Sequence, residues 1–156
     1  MEHMAGRNLI SIRTSGGGRT CYTKETREHF YDFIDMNKET FASMLVLKFD
    51  DCWDGSQGVV PTVEDVKKAL EWSEGKDNIV VHCSAGITRS SAIAYVIYCK
   101  KLGVADAIEN IDFRKHAPNH LIVKIGADIL GDPLIESEFE KVNDLHKKYI
   151  GGVYIG

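Results

Sequence analysis

Val80-Val81-His82-Cys83-Ser84-Ala85-Gly86-Ile87-Thr88-Arg89-Ser90-Ser91-Ala92 places a thiol and a guanidinium on either side of five residues. The apolar run before Cys83 reads as a β-strand, and the apolar run after Arg89 reads as a helix. A glycine-containing loop between them points main-chain N–H groups and a helix N-terminus at one spot, with sulfur at its centre. Such a spot attracts an oxyanion, and phosphate is the natural one. The spacing alone is weak: four cysteines and six arginines in 156 residues give about 0.15 chance matches. The strand–loop–helix setting makes it specific.

Each residue type in the loop has a chemical reason. A free thiol with a pKa near ~8.5 is mostly protonated at neutral pH, so a nucleophilic sulfur needs help to ionise. Helix-terminal amides and Arg89 favour the thiolate, and a drop of about three units corresponds to roughly 4 kcal/mol. Arg89 offers a planar fork to two phosphate oxygens, which a lysine does not. Gly86 allows the tight turn. Ser90 is placed to donate its hydroxyl to sulfur, and His82 to orient the loop from behind through main-chain hydrogen bonds. A merely structural cysteine ahead of a capped helix needs neither the glycine loop nor the arginine.

The segment from Val80 to Ala92 resembles the signature of the cysteine-dependent protein tyrosine phosphatases, nearer the dual-specificity-like branch than the large receptor-type branch. The resemblance implies a metal-independent, cofactor-free, two-step reaction. Cys83 takes the phosphoryl group as a phosphocysteine, and water then hydrolyses it. Arg89 and the amides of Ser84, Ala85, Gly86, Ile87, Thr88 and Arg89 hold the phosphate, and Ser90 assists thiolate departure. An aspartate from a separate loop acts as general acid, then as general base.

Met44-Leu45-Val46-Leu47-Lys48-Phe49 reads as a strand ending in Asp50-Asp51, and Cys52 to Gly58 reads as a loop with two glycines. A carboxyl at a strand end suits proton donation to a leaving group. Phe49-Asp50-Asp51 is similar to the general-acid loop of the small dual-specificity-like enzymes, where the second aspartate carries the role. That implies Asp51, with Asp50 and Asp54 as competitors. Ala117-Pro118-Asn119 is similar to the family's Pro-Asn step behind the phosphate loop, and Asn119 is also a good helix cap. In this order, with Asn8 to Ile12 ahead of them, these features are similar to a group of small, mostly bacterial predicted tyrosine phosphatases. The likeness spans residues 8–131. The segment from Thr14 to Thr40, with Gly16-Gly17-Gly18, departs from the pattern.

At this length one domain with a true core is expected over 1–156, residues 1–7 and 151–156 being terminal extensions. A net charge of −4 argues against a nucleic-acid partner. Cysteines 21, 52, 83 and 99 show neither metal-ligand spacing nor a disulfide framework, no apolar run spans a membrane, and no signal peptide is read. A monomer in the reducing cytoplasm is the expectation. Strands at 8–12, 44–49 and 78–82 alternate with helices at 24–36, from Thr62 to near Gly75, from Arg89 to about Leu102, at 105–115 and at 119–130. A last amphipathic helix carries Phe139, Val142, Leu145 and Tyr149. The alternation predicts a three-layer α/β domain, with 78–82 central in a mostly parallel sheet of four to five strands.

These readings converge on a phosphomonoester hydrolase for a phosphorylated protein or a small phosphomonoester. The loop positions Ser84, Ala85, Ile87 and Thr88 carry no Lys or Arg, which leans toward phosphotyrosine or another singly phosphorylated substrate. A phosphate-binding module without turnover, a phosphatase of non-protein phosphates, and a sulfur-transfer or arsenate-reducing enzyme are the alternatives. The glycine run lacks Walker spacing and reads as a plain loop. His116 and His120 read as surface residues rather than metal ligands. Cys52 is a minor candidate for a protective disulfide with Cys83 under oxidation.

Overall fold

β1 (Asn8–Arg13) runs through the middle of a three-stranded parallel sheet, with β2 (Ser43–Lys48) on one side and β3 (Ile79–His82) on the other. Asn8 pairs with both Ser43 and Ile79, and Ser11 with both Val46 and His82. This computed structural model describes residues 4–15, 22–56 and 58–154, with side chains through Leu145. The sheet is smaller than the four to five strands expected, and among the described residues β3 is an edge strand, not the central one. Burial explains the order. Leu9, Ile10, Ser11 and Ile12 of β1 are fully buried, as a strand covered on both faces requires, whereas β3 is only half-buried along its length.

Alternation along β1 sends its side chains to two cores. Ile10 and Ile12 join the main core with residues of α2 (Val63–Trp72), α3 (Arg89–Leu102), α5 (His120–Leu130) and α6 (Leu134–Tyr154). Leu9 faces the other way, against Ile34 of α1 (Lys24–Met36), Phe41 and Met4. Three layers result, with α1 on one face and the other helices opposite. The chain passes from β1 to β2 by way of α1, then from β2 to β3 by way of α2. Outward crossovers on opposite faces leave a crevice at the carboxyl ends of the strands.

Local signals explain the helices. Thr23 accepts the Thr26 N–H at the start of α1, and Thr62 with Asp65 forms a reciprocal capping box at the start of α2. Val66, Ala69, Leu70 and Ser73 make the buried face of α2, as their spacing predicts. α3 is buried over most of its surface and packs so closely on α5 that a Cβ on Gly126 would lie 2.5 Å from both Val96 methyls.

Three expectations need correction. The helix read over 105–115 stops early, as α4 (Val104–Glu109). Beyond it Asp112 turns the chain: its carboxylate accepts the Arg114 N–H, and its carbonyl accepts those of Lys115 and His116. Leu145 lies exposed while Phe139 is buried, so the apolar stripe of α6 is shorter than the spacing indicates. His116 is half-buried rather than at the surface, with its Nδ1 buried and unpaired among the described residues. Tyr149, Gly16-Gly17-Gly18-Arg19 and Cys21 lie outside the described side chains. Among the described residues no helix is long and apolar enough to cross a membrane.

Candidate active site

Cys83 leaves the carboxyl end of β3 at the floor of this crevice and is buried. Its Sγ–H donates to Ser90 Oγ at 3.3 Å. Once the sulfur ionises, the same pair serves with the serine hydroxyl as donor. Burial pushes the thiol pKa up, but the Ser90 hydroxyl, the Ser90 and Gly86 amides and the Arg89 charge outweigh it, so the net shift is downward. Gly86 has φ +70°, the left-handed conformation the loop needs and other residues adopt at a cost.

The loop's carbonyls are held from outside. Ala117 N–H donates to the Ile87 carbonyl at 3.1 Å, Asn119 N–H to that of Thr88 at 3.1 Å, and the Ser91 hydroxyl to Ile87 at 2.5 Å and Thr88 at 3.1 Å. Among the described residues the amides of Ser84, Ala85, Ile87, Thr88 and Arg89 have no main-chain acceptor. Carbonyls tied outward and amides left over make an anion cradle. Arg89, only 3% exposed, donates from Nη1 to the Phe49 carbonyl at 2.9 Å and from Nη2 to Ser84 Oγ at 3.1 Å. Among the described residues its Nε is buried without a partner and no carboxylate forms an ion pair with it.

The three aspartates separate by environment. Asp50 is 1% exposed, and it accepts the N–H of Ser15 at 2.9 Å, the N–H of Val59 at 2.8 Å and the Ser15 hydroxyl. Burial alone raises its pKa, yet those donors and the Arg89 charge hold it below the ordinary carboxylate value. Gly58, at φ +150°, approaches so closely that a Cβ there would lie 2.5 Å from Asp50 Oδ2. Asp50 is thereby a fastening for the loop, with both its oxygens engaged. Asp54 is an exposed turn residue bonded to Ser56. Asp51 is half-buried, and its Oδ1 accepts from Asn119 Nδ2 at 3.0 Å. Asn119 also accepts the Ile122 N–H at 3.2 Å as the cap of α5. One residue therefore joins the aspartate, the cradle and a helix start.

The solved structures to which this chain is similar include the following two. Tk-PTP, solved in its active form, is 17% identical over 87% of this chain and 82% of its own, with a TM-score of 0.48. PTPMT1, solved in complex with PI(5)P, is 16% identical over 81% of this chain and 80% of its own, with a TM-score of 0.46. Both are members of the cysteine-dependent protein tyrosine phosphatase superfamily. No protein-family model and no curated protein matches the chain.

Two wall features escape a reading of motifs. A cavity of about 290 Å³ opens beside the nucleophile, lined by Cys83, Ser84 and His82 and by Tyr22, Arg27, Phe30 and Tyr31 of the α1 region. A second, of about 310 Å³, lies between Asp51, Trp53, Thr88 and the 117–120 turn, with Trp53 66% exposed. The aromatic pair Phe30-Tyr31 within the charged helix α1 was the available signal for the first. His82 does less than its expected role: Nδ1 lies 3.5 Å from the Cys83 carbonyl, and Nε2 has no partner among the described residues. Its ring meets Phe30 edge-on at 5.4 Å, and burial first of all pushes its pKa down, so it stands as a neutral wall of the cavity. Cys52, Cys83 and Cys99 are free thiols, and burial with the aspartates around it raises the pKa of Cys52.

Proposed function

We propose that this protein is a metal-independent phosphomonoester hydrolase acting through a phosphocysteine at Cys83. The Cys83 thiolate attacks phosphorus in line, forming the S–P bond as the P–O bond to the leaving group breaks. Asp51 gives its proton to the departing oxygen. Arg89 and the cradle amides take up the charge on the equatorial oxygens. In the second step the Asp51 carboxylate accepts a proton from water, whose oxygen attacks phosphorus. The S–P bond then breaks, and Ser90 donates to the released sulfur.

One observation carries this reading: Asn119 reaches the Asp51 carboxylate through its side chain and the Thr88 carbonyl through its amide, fixing an acid beside a thiol-bearing anion cradle. Asp50 competes poorly for the acid's role because its oxygens are occupied and its pKa is lowered, which makes it a weak proton donor. Hydrolysis of p-nitrophenyl phosphate in EDTA tests the reading. The parent protein is expected to turn over, and Cys83→Ser to fall to background while still binding vanadate or phosphate. Absence of turnover by a folded parent that retains phosphate binding would instead establish a binding module.

A further inference from the structure

Among the described residues Arg27 is the one strongly basic residue on the wall of the cavity beside Cys83. It lies on the sheet-facing side of α1 and is only 9% exposed. Among the described residues its guanidinium makes no hydrogen bond and no ion pair. Of the carboxylates that share a neighbouring cavity with it, Asp35 pairs with Arg13 at 2.5 Å and Glu28 with Lys24 at 3.8 Å, while Asp32 makes no ion pair with it. The side chain is mostly covered, yet none of its guanidinium nitrogens is among the fully buried unpaired atoms, so its donors stay within reach of a group entering the cavity. The main-chain cradle and Arg89 already serve one phosphate, and the Arg27 donors lie on a different element.

We infer that Arg27 binds a second anionic group of the substrate, and that the substrate is a ring-bearing phosphomonoester carrying a carboxylate or a further phosphate on that ring. The inference rests on the hydrolase reading for the position of the first phosphate. Phe30, Tyr31 and His82 supply flat apolar walls between the two charges, the Phe30 and His82 rings standing edge to face. A sphere of the cavity's 290 Å³ is about 8 Å across, room for a single ring between two anions and for little more. The absence of basic residues inside the cradle therefore does not confine the chain to singly charged substrates, because the second cation comes from α1.

The test compares phenyl phosphate with 3- and 4-carboxyphenyl phosphate and 1,3-phenylene bisphosphate, by kcat/KM on the parent and by equilibrium binding to Cys83→Ser. The parent should favour at least one doubly anionic compound by about tenfold, mostly through KM. Arg27→Gln should reduce that ratio to near one, with Arg27→Lys intermediate. Because the ratio is taken within one protein, partial unfolding does not imitate the result. A parent without preference, or an Arg27→Gln protein that keeps the parental ratio, overturns the inference. No turnover by the parent overturns the hydrolase reading alone, since the binding ratio on Cys83→Ser still decides the role of Arg27. The carboxylate and bisphosphate arms show which anion the site takes.

Discussion

The segments that follow β2 and β3 leave the sheet at the same carboxyl end, yet they are built in opposite ways. After β3, residues 83–88 are shaped by main-chain geometry, with carbonyls held by Ala117, Asn119 and Ser91 and one glycine at positive φ. After β2, residues 50–59 are held by side chains: Asp50 takes the Ser15 and Val59 amides, and Asn119 takes Asp51. An oxyanion needs a fixed array of donors, which backbone supplies without depending on protonation. An acid must change its charge every turnover, so its carboxyl has to stay partly free. The difference predicts that the first loop resists substitution in shape but not in chemistry, and that the second can be disabled by single carboxylate changes.

The sharpest break in this contrast is Asp51→Asn. It should lower kcat by about 10²–10⁴-fold with phenyl phosphate, and less with p-nitrophenyl phosphate, whose leaving group needs little protonation. The basic limb of the pH–rate profile should vanish, and an unchanged profile would remove Asp51 from the mechanism. Asp50→Asn should act on stability first, by about 1–3 kcal/mol, since the Ser15 and Val59 amides lose a charged acceptor. Because the folded-state pKa of Asp50 is depressed, its contribution is present above the ordinary carboxylate pKa near 3.8 and is lost as pH falls through the lower folded value. Thermal melts from pH 7 down to pH 3 should show an acid-side loss in the parent that is flatter in Asp50→Asn. The smallest effect is expected for Asn119→Ala: about 1 kcal/mol from the lost helix cap and about tenfold in kcat from a loosened Asp51. A kcat equal to the parent's would show that the tie to Asp51 is only structural.

Much of this was legible in the chain, for reasons that differ by region. The cradle was, because strand, glycine turn and buried helix are each encoded locally between Val80 and Ala92. The capping box at Thr62 and the span of α1 were legible for the same reason. The sheet was overcounted, and β3 misplaced as central, because apolar content in four residues does not reveal how many neighbours a strand has. Asp51 could be separated from Asp50 only by a likeness to other proteins, since the distinction depends on contacts with Ser15, Val59 and Asn119 that are 35, 9 and 68 residues away. Arg27 was illegible altogether: nothing in Lys24–Met36 says that this one charge, among many, is covered.

Asn119 and Ala117 end a connector that begins at Asn110 and carries only turns. That short stretch clamps the nucleophile's loop directly and the acid's loop through one amide side chain. Nucleophile and acid therefore share one fastening. Local opening of residues 110–119 would loosen both together, while Ser91 keeps its hold on the first loop and the Ser15 and Val59 bonds to Asp50 keep theirs on the second.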